Sequence, residues 1–165
     1  MTHEAILYQG VYFSIRTNEH GEFVHNGNEV LVVPLTEQQE VILTEEPSAA
    51  FGEPVLIVPG GETEPDEEHR ETAMRELREE IGLAPGKLVF LGELRPFSKY
   101  FSMRSFIYLA WDLFPSPLVG DESYPIRQEK VPLSAFETLI QTGRLLDARV
   151  IAALHLARAF LQDEV

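Results

Sequence analysis

The sequence predicts an α/β fold: a mixed β-sheet with α-helices packed on it, preceded by extra antiparallel strands at the N-terminus. Three observations carry that prediction. Short aromatic and β-branched runs separated by turn residues fill residues 4–58, the apolar period changes from strand to helix between His69 and Ile81, and strand patterns then return before two closing helices. With 165 residues, 44% of them hydrophobic, the chain has the material for one compact core.

The segments from Glu4 to Arg16 and around Glu22 to His25 read as antiparallel strands. They are broken by Asn18-Glu19-His20-Gly21 and Asn26-Gly27-Asn28, residue types that accept left-handed turns. Val30-Leu31-Val32-Val33 and Val41-Ile42-Leu43 flank Thr36-Glu37-Gln38-Gln39, a polar connection of hairpin length. Val55-Leu56-Ile57-Val58 is a buried-strand candidate that Pro59-Gly60-Gly61 stops. Between His69 and Ile81 the side chains Ala73, Met74, Leu77 and Ile81 recur at helical spacing, and Gly82 stands where a left-handed residue ends a helix. Residues 87–94 and 104–113 read as strands. The stretch from Phe114 to Pro125, with three prolines, a glycine and an acidic pair, is a loop long enough to need a reason. Ser134 is placed to cap a helix that reaches Thr142, and a last helix spans about Asp147 to Gln162. On that helix His155 sits among apolar residues and is read as packed or partly exposed, not as a metal ligand.

Charge narrows the function. Twenty-seven acidic against thirteen basic residues give a formal charge of −14, which repels nucleic-acid polymers and anionic membranes. No cysteine is present, no basic stretch leads into an apolar core at the N-terminus, and no apolar run approaches a membrane span, so a soluble, cytoplasmic protein is expected. An enzyme of this composition acting on a small phosphate-bearing molecule needs local positive charge, most simply Mg²⁺ or Mn²⁺.

The chemistry gathers in Gly61-Glu62-Thr63-Glu64-Pro65-Asp66-Glu67 and Arg75-Glu76-Leu77-Arg78-Glu79-Glu80-Ile81-Gly82-Leu83. At 100° per residue, Glu76, Glu79 and Glu80 share one arc of a helix, while Met74, Leu77 and Ile81 lie on a face turned to the core. Like charges on one arc repel and want a cation, and hard oxygen ligands select Mg²⁺, Mn²⁺ or Ca²⁺. A strand ending in Pro59-Gly60-Gly61 could aim the Gly60 carbonyl at the same ion. Three glutamates alone are more often a solvated face. The wider spacing is more specific: Gly61, five residues, Glu67, seven residues, then Arg75-Glu76, an aliphatic, any residue, Glu79-Glu80, any residue, Gly82 and an aliphatic.

This pattern is similar, without gap or substitution, to the signature of the Nudix hydrolases. The resemblance implies an α/β/α sandwich, with N-terminal strands over 1–28 and the hydrolase domain over 29–165. It implies metal-assisted attack of water on a phosphorus, with Glu76, Glu80 and the Gly60 carbonyl as metal ligands and Glu79 as a further ligand or catalytic group. Glu67 and Arg75 are implied to brace the helix, supported by Gly61 and Gly82. Segments around 29–34, 99–102, 110–122 and 143–154 resemble the ADP-ribose pyrophosphatase group, most of all the bacterial ADP-compounds hydrolases that split ADP-ribose, NADH and diadenosine polyphosphates. A loop acid in that group implies a catalytic role for Glu122, with Asp121 second. Two departures weaken strict ADP-ribose specificity: Ser98 stands where a proline is common, with Pro96 two places early, and Ile57 stands where a glutamate is common. Tyr100, Phe101 or Phe97 would stack on adenine, although aromatics in such a segment are first read as core. The apolar run Ile6 to Phe13 would suit a homodimer. The rival functions are a house-cleaning pyrophosphatase for nucleoside triphosphates and a non-catalytic nucleotide-binding regulator.

Overall fold

The computed structural model describes residues 4–120 and 124–163. Three strands open the chain, β1 (Ala5–Gln9), β2 (Ser14–Asn18) and β3 (Gly21–His25), and pair antiparallel in that order. Then follow β4 (Glu29–Pro34), β5 (Glu40–Pro47), β6 (Pro54–Ile57), β7 (Gly60–Glu62), α1 (His69–Glu80), β8 (Leu83–Leu94), β9 (Ser105–Pro115) and β10 (Arg127–Pro132). A 3-10 turn (Leu133–Ala135), α2 (Phe136–Gln141) and α3 (Ala148–Asp163) finish the fold. One four-stranded mixed sheet has the order β7-β4-β9-β8, its β4 and β9 parallel, and an antiparallel sheet has the order β10-β5-β6.

The two-residue period of β4 explains the layers. Val30 and Val32 pack with Ala73, Leu77 and Ile81 of α1, whereas Leu31 and Val33 belong to the cluster with Val150, Ala153, Leu154 and Ala157 of α3. The mixed sheet is therefore buried on both faces between helices, as an α/β/α sandwich requires. Full burial of each aliphatic side chain is worth about 1.5–3 kcal/mol, so this strand is a costly place to introduce a polar residue.

Local signals bound α1 and α3. Gly82, at φ 72°, follows α1 as expected, the Glu71 carboxylate accepts the Glu68 N–H at 3.1 Å, and Asp147 accepts the N–H groups of Arg149 (2.8 Å) and Val150 (3.3 Å) at the start of α3.

Several expectations are corrected. β4 and β5 do not form a hairpin: they lie in different sheets, with an isolated bridge at Leu35–Val41, and the Thr36–Gln39 turn, with Gln39 at φ 60°, carries the chain between layers. β6 does end at Ile57, just before Pro59, and Gly60-Gly61 open a new short strand, β7, in the other sheet. The Pro59 carbonyl accepts the Val32 N–H at 2.8 Å, and a Cβ on Gly60 would fall 2.0 Å from the Val30 carbonyl oxygen, so glycine lets β7 lie against β4. Met74 is 39% exposed, outside the stripe of Ala73, Leu77 and Ile81. Ser134 lies inside the 3-10 turn instead of capping α2. β10 has no apolar alternation; only Val131 is buried, and its pairing with β5 from Arg127–Glu45 to Pro132–Glu40 defines it.

Candidate active site

β7, its turn and α1 bring the acidic residues together. Glu76 and Glu80 are each only 6% exposed, an unusual burial for carboxylates. The Gly60 N–H donates to Glu80 Oε1 at 3.1 Å, which fixes the glycine beside that carboxylate. A Cβ on Gly61 would stand 2.2 Å from Glu76 Oε1, so the bare backbone leaves the space the carboxylate fills. Glu79 is partly buried one turn from Arg75.

Arg75 ties this face together. It binds Glu67 in a fork, Nε to Oε1 at 2.9 Å and Nη2 to Oε2 at 3.1 Å, while Nη1 donates to Glu76 Oε1 (2.7 Å) and Glu79 Oε2 (3.1 Å). Nη2 also reaches the Glu62 carbonyl at 3.3 Å. The Arg75 hydrogen bond, outweighing the opposing effect of burial, lowers the Glu67 carboxyl to about 2, with help from Thr72 Oγ1 (2.8 Å) and the Glu64 N–H (3.2 Å). The same contact raises the Arg75 guanidinium above its usual value, again against burial. Among the described residues no three acidic or histidine side chains converge tightly enough to close a cation site by themselves. The side chains nonetheless fit a hard divalent cation: they are carboxylates, without sulfur or imidazole, gathered where one guanidinium serves three acids.

Two clefts flank the glutamates. One, of 200 Å³, is lined by Glu79, Glu80, Gly120, Tyr124 and Ile126. Asp121 and Glu122 fall outside the described residues, but the loop on either side of them, Gly120 and Tyr124, faces Glu79 and Glu80 across this cleft. The other, of 260 Å³, runs along Gly60, Gly61 and Glu62 to Glu29, Met103 and Arg149.

The aromatic segment is not core, contrary to its first reading. Phe97 and Tyr100 are 69% and 45% exposed, because residues 97–102 run over the surface between β8 and β9. Phe97 and Phe101 meet edge to face with centroids 5.9 Å apart and line a common cavity, whereas Tyr100 borders a cleft with His20, Glu22 and Phe23 at the β2–β3 turn. His155 is exposed, edge-on to Phe136, with Nδ1 3.1 Å from Arg158.

Sequence reasoning missed a second ionic cluster. Arg149 donates from Nη2 to Asp147 Oδ2 and from Nη1 to Glu29 Oε2, both at 2.6 Å, and Glu29 Oε1 accepts the Ser105 hydroxyl. Burial alone would raise Asp147, but the Arg149 hydrogen bond and charge outweigh it and hold the carboxyl below its usual range. Asp147 was legible only as the approximate start of the last helix; Glu29, distant in sequence, was not legible as its partner in this cluster.

Comparison with known proteins bears on these features. The NUDIX domain family matches residues 25–152. ADP compounds hydrolase NudE of Escherichia coli (strain K12) is 34% identical over 139 residues, spanning 84% of this chain and 74% of that protein. The crystal structure of an ADP compounds hydrolase has the same fold, with a TM-score of 0.86 at 28% identity, covering 99% of this chain and 95% of that one.

Proposed function

The chain belongs to the Nudix family and is a hydrolase, and on that premise we propose that it cuts the pyrophosphate bond of ADP-linked compounds such as ADP-ribose, NADH and diadenosine polyphosphates, releasing AMP and a phosphorylated product. One observation carries the reading: Glu76 and Glu80 are buried carboxylates held beside Gly60 and Gly61 of β7, a geometry that a solvated helix face has no reason to build. The substrate class for which the similar proteins are named, ADP compounds, supports the choice of molecule.

Glu76, Glu80 and the Gly60 carbonyl would hold Mg²⁺ or Mn²⁺, which when bound neutralises diphosphate charge and acidifies water. The chain's own residues do the rest. Arg75 and Glu67 fix the direction of Glu76 and Glu79, so that the carboxylates meet the substrate without reorganising. Glu79 accepts the proton of the attacking water as its oxygen bonds to phosphorus and the bridging P–O bond breaks; Glu122 is the alternative base. Gly61 and Gly82 serve the frame, the first by leaving room for Glu76 and the second by ending α1.

Phe101, and less directly Tyr100, contact the nucleotide. The strands of residues 1–28 form the subunit contact of a homodimer, supported by Ile6, Leu7, Tyr8, Val11, Tyr12 and Phe13, each 46–91% exposed along β1 and the connection to β2. Sedimentation velocity tests this: Tyr12→Glu should give monomers where the wild type gives dimers. A cytoplasmic location suits a chain without cysteine.

The deciding experiment incubates the protein and Mg²⁺ with ADP-ribose, NADH, diadenosine triphosphate and a nucleoside triphosphate, and resolves the products. AMP from the first three is expected, with turnover in Glu80→Gln reduced at least ~100-fold. Pyrophosphate released from the triphosphate alone would establish a house-cleaning enzyme instead, and full turnover in Glu80→Gln would remove the metal-site assignment.

A further inference from the structure

The connection between β9 and β10 supplies one wall of the 200 Å³ cleft that Glu79 and Glu80 border, through Gly120, Tyr124 and Ile126. Its two ends are fastened in different ways. At the start the backbone is tied to α1 and its terminus: the Ser116 N–H donates to the Gly82 carbonyl at 2.9 Å, the Leu118 N–H donates to the Arg78 carbonyl at 3.0 Å, and Arg78 Nε donates to the Ser116 carbonyl at 3.1 Å. At the far end side chains take over. Gln128 Nε2 donates to the Glu80 carbonyl at 3.4 Å, and the Tyr124 hydroxyl donates to Glu46 Oε2 at 3.3 Å.

Strand register explains why a side chain is needed there. β10 pairs with β5 from Pro132–Glu40 to Arg127–Glu45, so Glu46 is the first residue of β5 beyond that ladder, while its other side still pairs with Val55 of β6. Upstream of Arg127 the ladder no longer holds the chain to β5, and the Tyr124 side chain crosses that gap. Both partners are partly buried, which limits competition from water, and an ionised acceptor strengthens the bond. Glu46 also lines the 260 Å³ cleft with Gly60 and Gly61, and the Gly60 N–H is held by Glu80. The Tyr124–Glu46 pair therefore joins a wall of one cleft to a wall of the other, with the buried Glu80 bordering the first and bonded to the second.

We propose that Tyr124 is a positioning residue for the hydrolysis: through Glu46 it holds the far end of the β9–β10 connection at a fixed distance from Glu79 and Glu80, and so sets the width of the cleft in which diphosphate and attacking water meet those carboxylates. This rests on the pyrophosphatase reading for what occupies the cleft; the tie itself does not. A small misplacement of reacting groups costs rate, up to about 100-fold for roughly 1 Å, whereas binding spread over other contacts changes little. The Tyr124 bond is long for an O–H···O contact, so its loss belongs at the lower end of that range.

The test compares wild type with Tyr124→Phe, Glu46→Ala, the two combined, and Glu46→Gln. Two quantities are read: Mg²⁺-dependent turnover of ADP-ribose, and amide hydrogen exchange of residues 114–126 without substrate. Tyr124→Phe keeps the ring, so folding survives, which thermal melts verify. Tyr124→Phe and Glu46→Ala should each lower kcat about tenfold with KM altered less than about twofold, and the combined variant should be no slower than either. Glu46→Gln, which keeps an oxygen acceptor, should stay within about threefold of wild type. Exchange should quicken alike in Tyr124→Phe, Glu46→Ala and the combined variant. Additive losses of kcat in the combined variant, full kcat in Tyr124→Phe, or exchange that none of the variants alters would overturn the proposal. Exchange is read without turnover, so a wild type that leaves every ADP compound intact, while loss of either partner still loosens the connection, would refute the pyrophosphatase reading and keep the tie.

Discussion

Two arginines, Arg75 and Arg149, do similar electrostatic work in different ways. Arg75 gathers Glu67, Glu76 and Glu79 from a single helix and its lead-in, whereas Arg149 joins Asp147, two residues away, to Glu29 at the start of β4. The guanidinium of Arg75 is outnumbered three to one by its hydrogen-bonded acids; that of Arg149 is outnumbered two to one. An excess of buried acid is tolerated only where another cation or strong donors share it, so the first cluster reads as machinery and the second as a strut. The strut also connects: Glu29 pairs with Glu62 of β7 and bonds Ser105 of β9, so it sets α3 against the sheet edge from which β7 and α1 hang.

The widest separation between the two clusters should come from Arg75→Met. Its side chain is 23% exposed, and its loss leaves three crowded carboxylates without their shared donor. A destabilisation of about 2 kcal/mol is expected, below the 3–5 kcal/mol typical of a fully buried broken pair. Turnover should fall about 10–100-fold, with a higher Mg²⁺ concentration needed for half-maximal rate, because the carboxylates are no longer aimed. Thermal melts and a Mg²⁺ titration of kcat check both. An unchanged metal requirement would mean that Arg75 is only a structural tie.

Arg149→Met should give a smaller and different effect. Glu29 keeps its Ser105 contact and Asp147 keeps its cap to the α3 backbone, so about 1–2 kcal/mol is expected. The loss of activity should appear mainly as a raised KM for ADP-linked substrates, since Arg149 borders the cleft and is held by Glu29 and Asp147. If kcat and the metal requirement moved together as for Arg75→Met, the two clusters would be one unit and the contrast would fail.

The same contrast explains what was legible in the sequence. Helical period, Gly82 and the glutamate spacing act within a turn or two of each other, so α1 and its acidic face follow from local rules. The continuous apolar run of β4, buried on both faces, is equally local. The unread parts depend on distant partners. β10, Arg-Gln-Glu-Lys-Val-Pro, is an edge strand whose side chains mostly face water, so only its backbone pairing to β5 makes it a strand. Thr36–Gln39 has hairpin length yet joins two sheets, because turn length does not say which strand is the neighbour. Phe97 and Tyr100 look like core by composition, and their exposure follows from backbone bonds to β3. Glu29 with Arg149 belongs to the same class.

The finest distinction concerns acid. Glu67 is held at about 2 by Arg75, against an ordinary value of 4.5. A carboxyl lowered in the folded state stabilises it fully above the unfolded value and loses that contribution as pH falls through the folded one. The advantage of wild type over Glu67→Gln should therefore be complete above about pH 4.5, shrink between 4.5 and about 2, and vanish below. Asp147 is lowered as well, so Asp147→Asn should converge with wild type in the same direction as acid is added. Urea midpoints followed across this window give the comparison directly. Parallel curves for wild type and Glu67→Gln at every pH would mean that Arg75 does not hold the Glu67 carboxyl in its ionised form, and the fork that aims the α1 glutamates would lose its electrostatic basis.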